Sequence, residues 1–493
     1  MCSVSVTPAC VPLPLPDQQL KDLVRKTRDW AILHGASMRS RRNFSEDSIQ
    51  FAPFNLFPST FLKKDFQKVV DVQATFQELI HKVAHDGEFL RKCLKDTIQV
   101  DEFTGNLFKI YETVQKEGIV QPLNLGLFRC DYMLESGNAK NQPYHENYPC
   151  CCWKQVEYNT IASGFGWLGP ISAAIQRYVV LELFYENYLI SLPENNALDG
   201  LCEGMLEAWK AYGNPEAIIL FIIENVSYNI ADQRFHEFRL RELRPDIKVV
   251  RKTLTEISDR GRISATKTLT IDEDEVAVVY FRAGYEPNHY PSKAEWDARL
   301  LIERSKAIKC PTIQYHLAGT KKVQQELSKP GAVEYFLKDT NKVNAVRELF
   351  VGLYGLDFDE SGDQAIEMAL RNPERYVLKP QREGGGNNIY GTDIKDAILN
   401  MKDKMERTAW ILMERIFPPI TRGYLIRPGG SNLPPISEMV SEMGIFGVIF
   451  GDSENILVNR QVGHMLRTKT STANEGGVAA GDGALDSPYL LDC

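Results

Sequence analysis

Residues 216–226 read EAIILFIIENV. An apolar run this continuous fits a strand buried on both faces, and a parallel sheet covered by helices is the arrangement that buries both. The next residues agree. NIADQRFHEFRLRELR has the spacing of an amphipathic helix, IKVVRKTL reads as a second strand, and DEVAVVYFRAGY (274–285) as a third. Strand, helix and strand at this spacing predict a small parallel α/β unit over about 213–320.

The chain has 493 residues, too many for one core, so two or three domains are expected. Residues 17–120 read as mainly helical; LKDLVRKTRDWAILHG has helical spacing and a glycine stop at Gly35. Residues 170–213 read as helix, with Pro170 in the first turn and no break over 170–192. Ser292-Lys-Ala-Glu295 is a capping box opening SKAEWDARLLIERSKA. Beyond it, RYVLKPQ, TAWILMERIF and IFGVIF read as strands among helices and glycine-rich turns, with no internal repeat.

A net charge of −8 makes the chain as a whole a poor match for nucleic acid or an acidic membrane surface. No apolar stretch reaches the roughly 18–20 residues that span a bilayer. The N-terminus lacks the basic and apolar regions of a signal peptide. Ten cysteines are sparse for this length and include no C-x-x-C pair, which predicts reduced thiols in the cytoplasm. Cys150-Cys151-Cys152 follows the polar GNAKNQPYHENYP, so it is assigned to a surface insertion rather than to a zinc site.

Three segments carry candidate chemistry. KPQREGGGNNIYG (379–391) places three glycines between charge and amides. Such a run reads either as a flexible turn or as a mobile loop whose backbone N–H groups approach an anion. Lys379 would then neutralise phosphate, Glu383 would offer Mg²⁺ a hard oxygen, and Asn387 and Asn388 would add donors and acceptors. The standard G-x-x-x-x-G-K-[ST] loop is absent. RTKTSTANEGGVAAGDGALD (467–486) puts Arg467 and Lys469 ahead of a small-residue loop, which reads as a lid or as a loose tail. In QVEYNTIASGFGWLGP (155–170), strand alternation puts Gln155, Glu157 and Asn159 on one face. Gly164-Phe-Gly-Trp-Leu-Gly169 also matches G-x-G-x-x-G, but no second strand ending in an acidic residue follows it, so the dinucleotide reading is set aside.

Taken together, KPQREGGGNN, YFRAGY, LAGTKKVQQEL, SEMGIFG and LRTK…GGVAAG closely resemble the eukaryotic glutathione synthetases of the ATP-grasp superfamily, in the family's order and from about residue 20 onward. The resemblance implies an α/β ATP-grasp fold: a helical N-terminal region, an inserted parallel α/β substrate-binding domain and a mobile lid. The implied boundaries are 1–212 and 321–493 for the body, 213–320 for the substrate domain, and 353–435 for the lid within the C-terminal part. It implies an ATP-dependent ligase that joins γ-glutamylcysteine to glycine through an acyl phosphate, giving glutathione. It further implies Mg²⁺, a cytoplasmic location and a homodimer.

Carried over by motif, the metal ligands are Glu157, Asn159 and Glu383. The nucleotide set is Lys321, Lys379, Glu383, Gly384, Gly385, Gly386, Asn388, Tyr390, Met413, Glu414, Ile416, Glu442 and Lys469. The dipeptide set is Arg129, Asn229, Gln233, Arg282, Tyr285 and Arg467, with Val478 and Ala479 from the alanine-rich loop. Arg467, Lys321 and Lys379 are the groups expected to act on the reacting phosphate and carboxylate. A substrate with two carboxylates suits arginine forks, so Arg129, Arg282 and Arg467 are not all expected to be structural ion pairs. One segment departs from the family pattern N-T-I-S-x-S-F: here Ala162 and Gly164 replace both serines, which leaves open a glutathione-synthetase-like ligase with another acyl or amine substrate, or a nucleotide-binding protein with little ligase activity. Ser163 sits in the spacer position, facing the other way by alternation, and is counted with the dipeptide residues.

Overall fold

The EAIILFIIENV run forms the strand Ile218–Ile222, buried throughout. Val249–Lys252 and Asp274–Phe281 flank it in parallel, and Ile308–Cys310 pairs in parallel with the latter. Helix Ile230–Leu243 makes the first crossover. The sheet departs from the all-parallel expectation because Gly261–Ile263 and Leu269–Ile271 extend it antiparallel. The cause is a two-residue turn at Asp272 and Glu273, whose φ values of +50° and +77° reverse the chain into a hairpin. The structure is a computed structural model that describes residues 6–136, 152–183, 185–478 and 482–492, so Cys150 and Cys151 lie outside it.

The large sheet gathers eight strands from distant segments. At its centre Ser437–Gly451 and Ile456–Thr470 run antiparallel, followed by Asn124–Glu135 and Cys152–Asn159 on one side. SEMGIFGVIFG is buried almost end to end because both faces are covered. Helix Lys63–His85 packs on one face through residues such as Phe76, Leu79 and Ile80. Helix Ala197–Tyr212 covers the other around Leu127 and Val448. A third, four-stranded antiparallel sheet joins Leu353–Gly355, Trp410–Glu414, Tyr376–Pro380 and Ile389–Tyr390, backed by helices Glu360–Arg371 and Asp393–Met401. The strands Thr421–Gly423 and Leu425–Ile426 pair with the large sheet instead.

The uninterrupted helix expected over 170–192 is corrected. The helix is Leu168–Glu182, a 3₁₀ turn covers Glu186–Ser191, and a second helix begins at Ala197. Pro193 in the polar PENN segment has no N–H to give, which separates the two. Among the described residues no helix is long and apolar enough to cross a membrane.

Six histidines are held neutral by burial. It pushes His81, His289 and His464 down to about 4, His316 well below the usual value, and His85 and His236 also down. A folded-state pKa below the unfolded value means the unfolded chain binds more protons once pH falls under about 6.5, so stability is lost there. Asp131 and Glu383, with pKa values raised to about 6 and about 7, oppose this, and the raised carboxyls of Asp65, Glu224, Glu286 and Asp486 add to the opposition toward the acid end. The urea midpoint is therefore expected to fall between pH 7 and pH 5.5, by about 1.4 kcal/mol per pH unit for each net proton taken up. A midpoint that is flat or rises over that interval contradicts the assignment.

Candidate active site

The register of the large sheet builds the site. Arg129 pairs with Asn159 and Asp131 with Glu157; on the other side Asp131 faces Gly444, while Glu442 pairs with Arg467 and Val440 with Lys469. Alternation then brings Arg129, Asp131, Glu157, Asn159, Glu442 and Arg467 to one face. All of these but Asp131 border a cavity of about 1410 Å³, with the four-stranded sheet's glycine loop across it and the parallel unit at its far end.

One expected member is absent. The pairing shifts between Asp131 and Tyr132, so Gln155 sits opposite Tyr132. Its amide is buried and donates to Cys130 Sγ at 3.0 Å. This bulge turns Gln155 away and gives Val156 its place on the cavity wall, correcting the simple alternation.

Glu157 and Glu383 come from distant segments and meet at Lys321. The Lys321 ammonium lies 3.7 Å from Glu157 Oε2 and 3.4 Å from Glu383 Oε2, and donates to the Arg382 carbonyl at 2.5 Å. Burial opposes ionisation of both acids. At Glu157 the cations Lys321, Lys379 and Arg467 outweigh it and hold the carboxyl well below its usual range. At Glu383 burial wins, helped by repulsion from Glu157, and the carboxyl is raised. Lys321 does not itself line the cavity. Lys379, also buried, donates to the Val156 carbonyl at 3.1 Å, and burial lowers its pKa.

The Asn159 amide nitrogen donates to Asp131 Oδ2 at 3.0 Å and to the Arg129 carbonyl at 3.4 Å, so the oxygen is the end left for the cavity. Two carboxylates and one amide oxygen fit Mg²⁺, which keeps few protein ligands and fills its octahedron with water and phosphate oxygen. Among the described residues no three His, Cys, Asp or Glu gather as an alternative metal site.

Gly384, Gly385 and Gly386 have φ of +91°, +72° and +78°, the left-handed region that side-chain-bearing residues avoid. A loop in this conformation needs all three glycines. Asn388 Nδ2 and Tyr390 Oη donate to Glu475 Oε1 at 3.1 and 3.0 Å, which ties this loop to the C-terminal one. Met413, Glu414, Ile416, Lys469 and Val478 line the same cavity. Glu414 accepts from the Gly352 N–H and from Tyr354 Oη, each at 3.3 Å. Lys469 donates to the Asn474 carbonyl at 2.6 Å. Ala479 lies outside the described residues.

Arg129, Arg282 and Arg467 all line the cavity, and each has a carboxylate partner. Arg129 grips Asp131 through Nε at 2.6 Å and Nη2 at 2.7 Å. Arg282 lies 3.6 Å from Asp232, and Arg467 donates to Glu442 at 2.5 Å. A buried guanidinium without a counter-ion is too costly for the sheet to hold. Arg129 also donates to the Gly164 carbonyl and Arg282 to the Ala162 carbonyl, at 2.9 and 2.8 Å. The two cations therefore hold the backbone where the family's serines stand. Ser163 Oγ donates to the Leu127 carbonyl at 3.2 Å, turned into the fold. Asn229 and Tyr285 line the cavity, whereas Gln233 is buried behind it and donates to Asn229 Oδ1 at 2.9 Å.

The G-x-G-x-x-G segment has its anion built in. Asp232 accepts from the N–H groups of Phe165, Trp167 and Leu168, at 2.8, 3.0 and 3.2 Å. This carboxylate fills the helix start that a dinucleotide phosphate would use. Sequence reasoning passed over Asp131, Asp232 and Glu475. Asp131 carried a signal, two residues from Arg129 in a strand; the other two meet their partners only through the tertiary fold.

This fold and site are those of an ATP-grasp type of ATP-dependent ligase. The sequence pattern of the family described as "Eukaryotic glutathione synthase, ATP binding domain" matches residues 17–490. The chain is 43% identical to the glutathione synthetase of Homo sapiens and 42% identical to that of Xenopus laevis, each over 96% of this chain and 97% of the relative. A glutathione synthetase-like effector from Globodera pallida, solved in its apo form, superposes with a TM-score of 0.76 at 27% identity, covering 98% of this chain and 100% of the effector. The chain belongs to the eukaryotic glutathione synthase family.

Proposed function

We propose that this protein is an ATP-dependent ligase that joins γ-glutamylcysteine to glycine, with ADP, phosphate and glutathione as products. Family membership over nearly the whole chain carries this reading, and convergence of Glu157, Asn159 and Glu383 with Lys321 and Lys379 supports its mechanism. Mg²⁺, held by those three oxygen donors, would neutralise the nucleotide's phosphate charge. Lys379 offers its ammonium beside the triphosphate, Lys321 holds the two acids from behind the cavity wall, and the glycine loop offers backbone N–H groups. Met413 and Ile416 suit the adenine, and Glu442 the ribose. Asn388 and Tyr390 lie along the nucleotide, held by Glu475. The substrate carboxylate attacks the γ-phosphorus and expels ADP, which leaves an acyl phosphate; Arg467 orients that carboxylate. The glycine amine then displaces phosphate, with loss of the amine proton as the amide forms. No enzyme nucleophile is required; positioning and charge neutralisation supply the rate.

In this reading the unit at about 213–320 holds the dipeptide, and the segment at about 353–435 is the lid. The chain acts in the cytoplasm as a homodimer. ADP release that requires both γ-glutamylcysteine and glycine, with glutathione identified by mass, is the expected result; ADP release independent of either substrate would overturn it.

A second reading, the same chemistry on a different acyl substrate, is favoured by the lack of hydroxyls at Ala162 and Gly164 and by the inward Ser163. A serine fits at either position. A Cβ on Gly164 meets nothing closer than Asp232 Oδ2 at 3.5 Å, and Ala162 already carries one. The double change Ala162→Ser, Gly164→Ser is expected to lower KM for γ-glutamylcysteine by about 5- to 150-fold, at about 0.5–1.5 kcal/mol per hydrogen bond. An unchanged KM, with turnover of another γ-glutamyl acid, selects the second reading.

A further inference from the structure

We propose that Asp131 is a positioning residue that sets the metal ligand Asn159 and the substrate arginine Arg129 together. The inference rests on the ligase reading above. Asp131 is fully buried and borders no part of the cavity, so it touches no substrate. Every partner it has nevertheless belongs to the site. Its Oδ1 accepts from Arg129 Nε at 2.6 Å; its Oδ2 accepts from Arg129 Nη2 at 2.7 Å and from Asn159 Nδ2 at 3.0 Å. Arg467 Nη2 lies 3.9 Å away.

The consequence for Asn159 is direct. An asparagine amide offers two donors at one end and two lone pairs at the other. With the nitrogen committed to Asp131, only the oxygen can face a cation. With Asp131 reduced to a single amide oxygen, which Arg129 and Asn159 both need, the Asn159 amide is free to flip and present N–H groups to the metal. The consequence for Arg129 is similar. Its fork is fixed by two parallel bonds to one carboxylate, and that fixes the third bond, to the Gly164 carbonyl in the segment where the dipeptide serines are missing. One buried carboxylate thus governs the metal and dipeptide ends of the cavity together.

The neighbouring strand is shaped around this pair. A Cβ at Gly444, in SEMGIFG, would lie 2.8 Å from Asp131 Oδ1, 2.8 Å from Arg129 Cδ and 2.7 Å from Met465 Cε. Contacts this short force the neighbours to move. The glycine of that motif is the space in which the Asp131–Arg129 pair sits.

The test is a double-mutant cycle on Mn²⁺ affinity of the ADP complex, read by calorimetry, with KM for γ-glutamylcysteine measured alongside. Asp131→Asn is expected to weaken Mn²⁺ by about 10- to 100-fold and to raise the dipeptide KM by a comparable factor. In an Asn159→Ala background the same change should leave Mn²⁺ affinity unaltered, because the amide it orients is gone. A merely structural or long-range electrostatic role would weaken the metal equally in both backgrounds, and that result overturns the proposal, as does unchanged affinity in the single variant. If Asp131→Asn does not fold, Gly444→Ala displaces the pair without altering charge and should show the same loss, abolished by Asn159→Ala; unchanged affinity there is equally fatal. A wild-type chain that binds no Mn²⁺ with ADP removes the ligase reading and this inference with it. Normal wild-type binding with an unaffected variant removes this inference alone.

Discussion

Glu383→Gln folds normally and ligates about 10³-fold more slowly than the wild-type chain. The change keeps the shape of the side chain and removes one of the two carboxylates that meet at Lys321. Charge neutralisation at a triphosphate by a well-held divalent cation is worth several kcal/mol of barrier, and about 4 kcal/mol is a thousandfold. Stability behaves differently. Burial raises the Glu383 pKa in the fold, so its ionised form is disfavoured there relative to the unfolded chain. A neutral amide relieves that cost, and Lys321 keeps Glu157 and the Arg382 carbonyl. The thermal midpoint should therefore be unchanged or slightly higher. Wild-type turnover in this variant contradicts the metal assignment, and a collapsed midpoint contradicts the electrostatic account.

Lys321→Met gives the opposite pattern. This buried ammonium holds two acids that come together from segments more than 200 residues apart. Its loss leaves Glu157 and Glu383 facing each other without a cation between them. Removing one partner of a buried pair costs about 3–5 kcal/mol, and with both acids a fifth exposed a figure of about 2 kcal/mol is appropriate. Turnover should fall at least about 100-fold, through misplaced carboxylates and the loss of a nearby positive charge. Mg²⁺ without nucleotide should raise the melting temperature of this variant more than that of the wild type, because the metal now supplies the missing positive charge. Equal Mg²⁺ responses in both proteins would show that Lys321 does not balance these acids.

Much of this was readable in the sequence where one physical signal dominates. EAIILFIIENV has to be covered on both faces, and it became a central parallel strand. The hairpin at Asp272–Glu273 was missed because positive φ at two acidic residues leaves no compositional mark. In the site, long motifs marked the glycine loop and the two acids. Local alternation failed at Gln155, where a bulge shifts the face, and the carboxylates that pair with the arginines were not sought. Asp131 was within reach, since i and i+2 in a strand share a face. Asp232 was not, because it caps a helix start more than sixty residues earlier in the chain.

The central claim is that Glu157, Asn159 and Glu383 converge on a divalent cation that also holds a nucleoside triphosphate. Calorimetric titration of the purified chain with a non-hydrolysable ATP analogue, with and without Mg²⁺, tests it most directly. Saturable binding of one analogue per chain that strengthens strongly with Mg²⁺, with the Mg²⁺ dependence lost in Glu383→Gln, is the predicted result. Binding that is indifferent to Mg²⁺, or no binding at all, would contradict it.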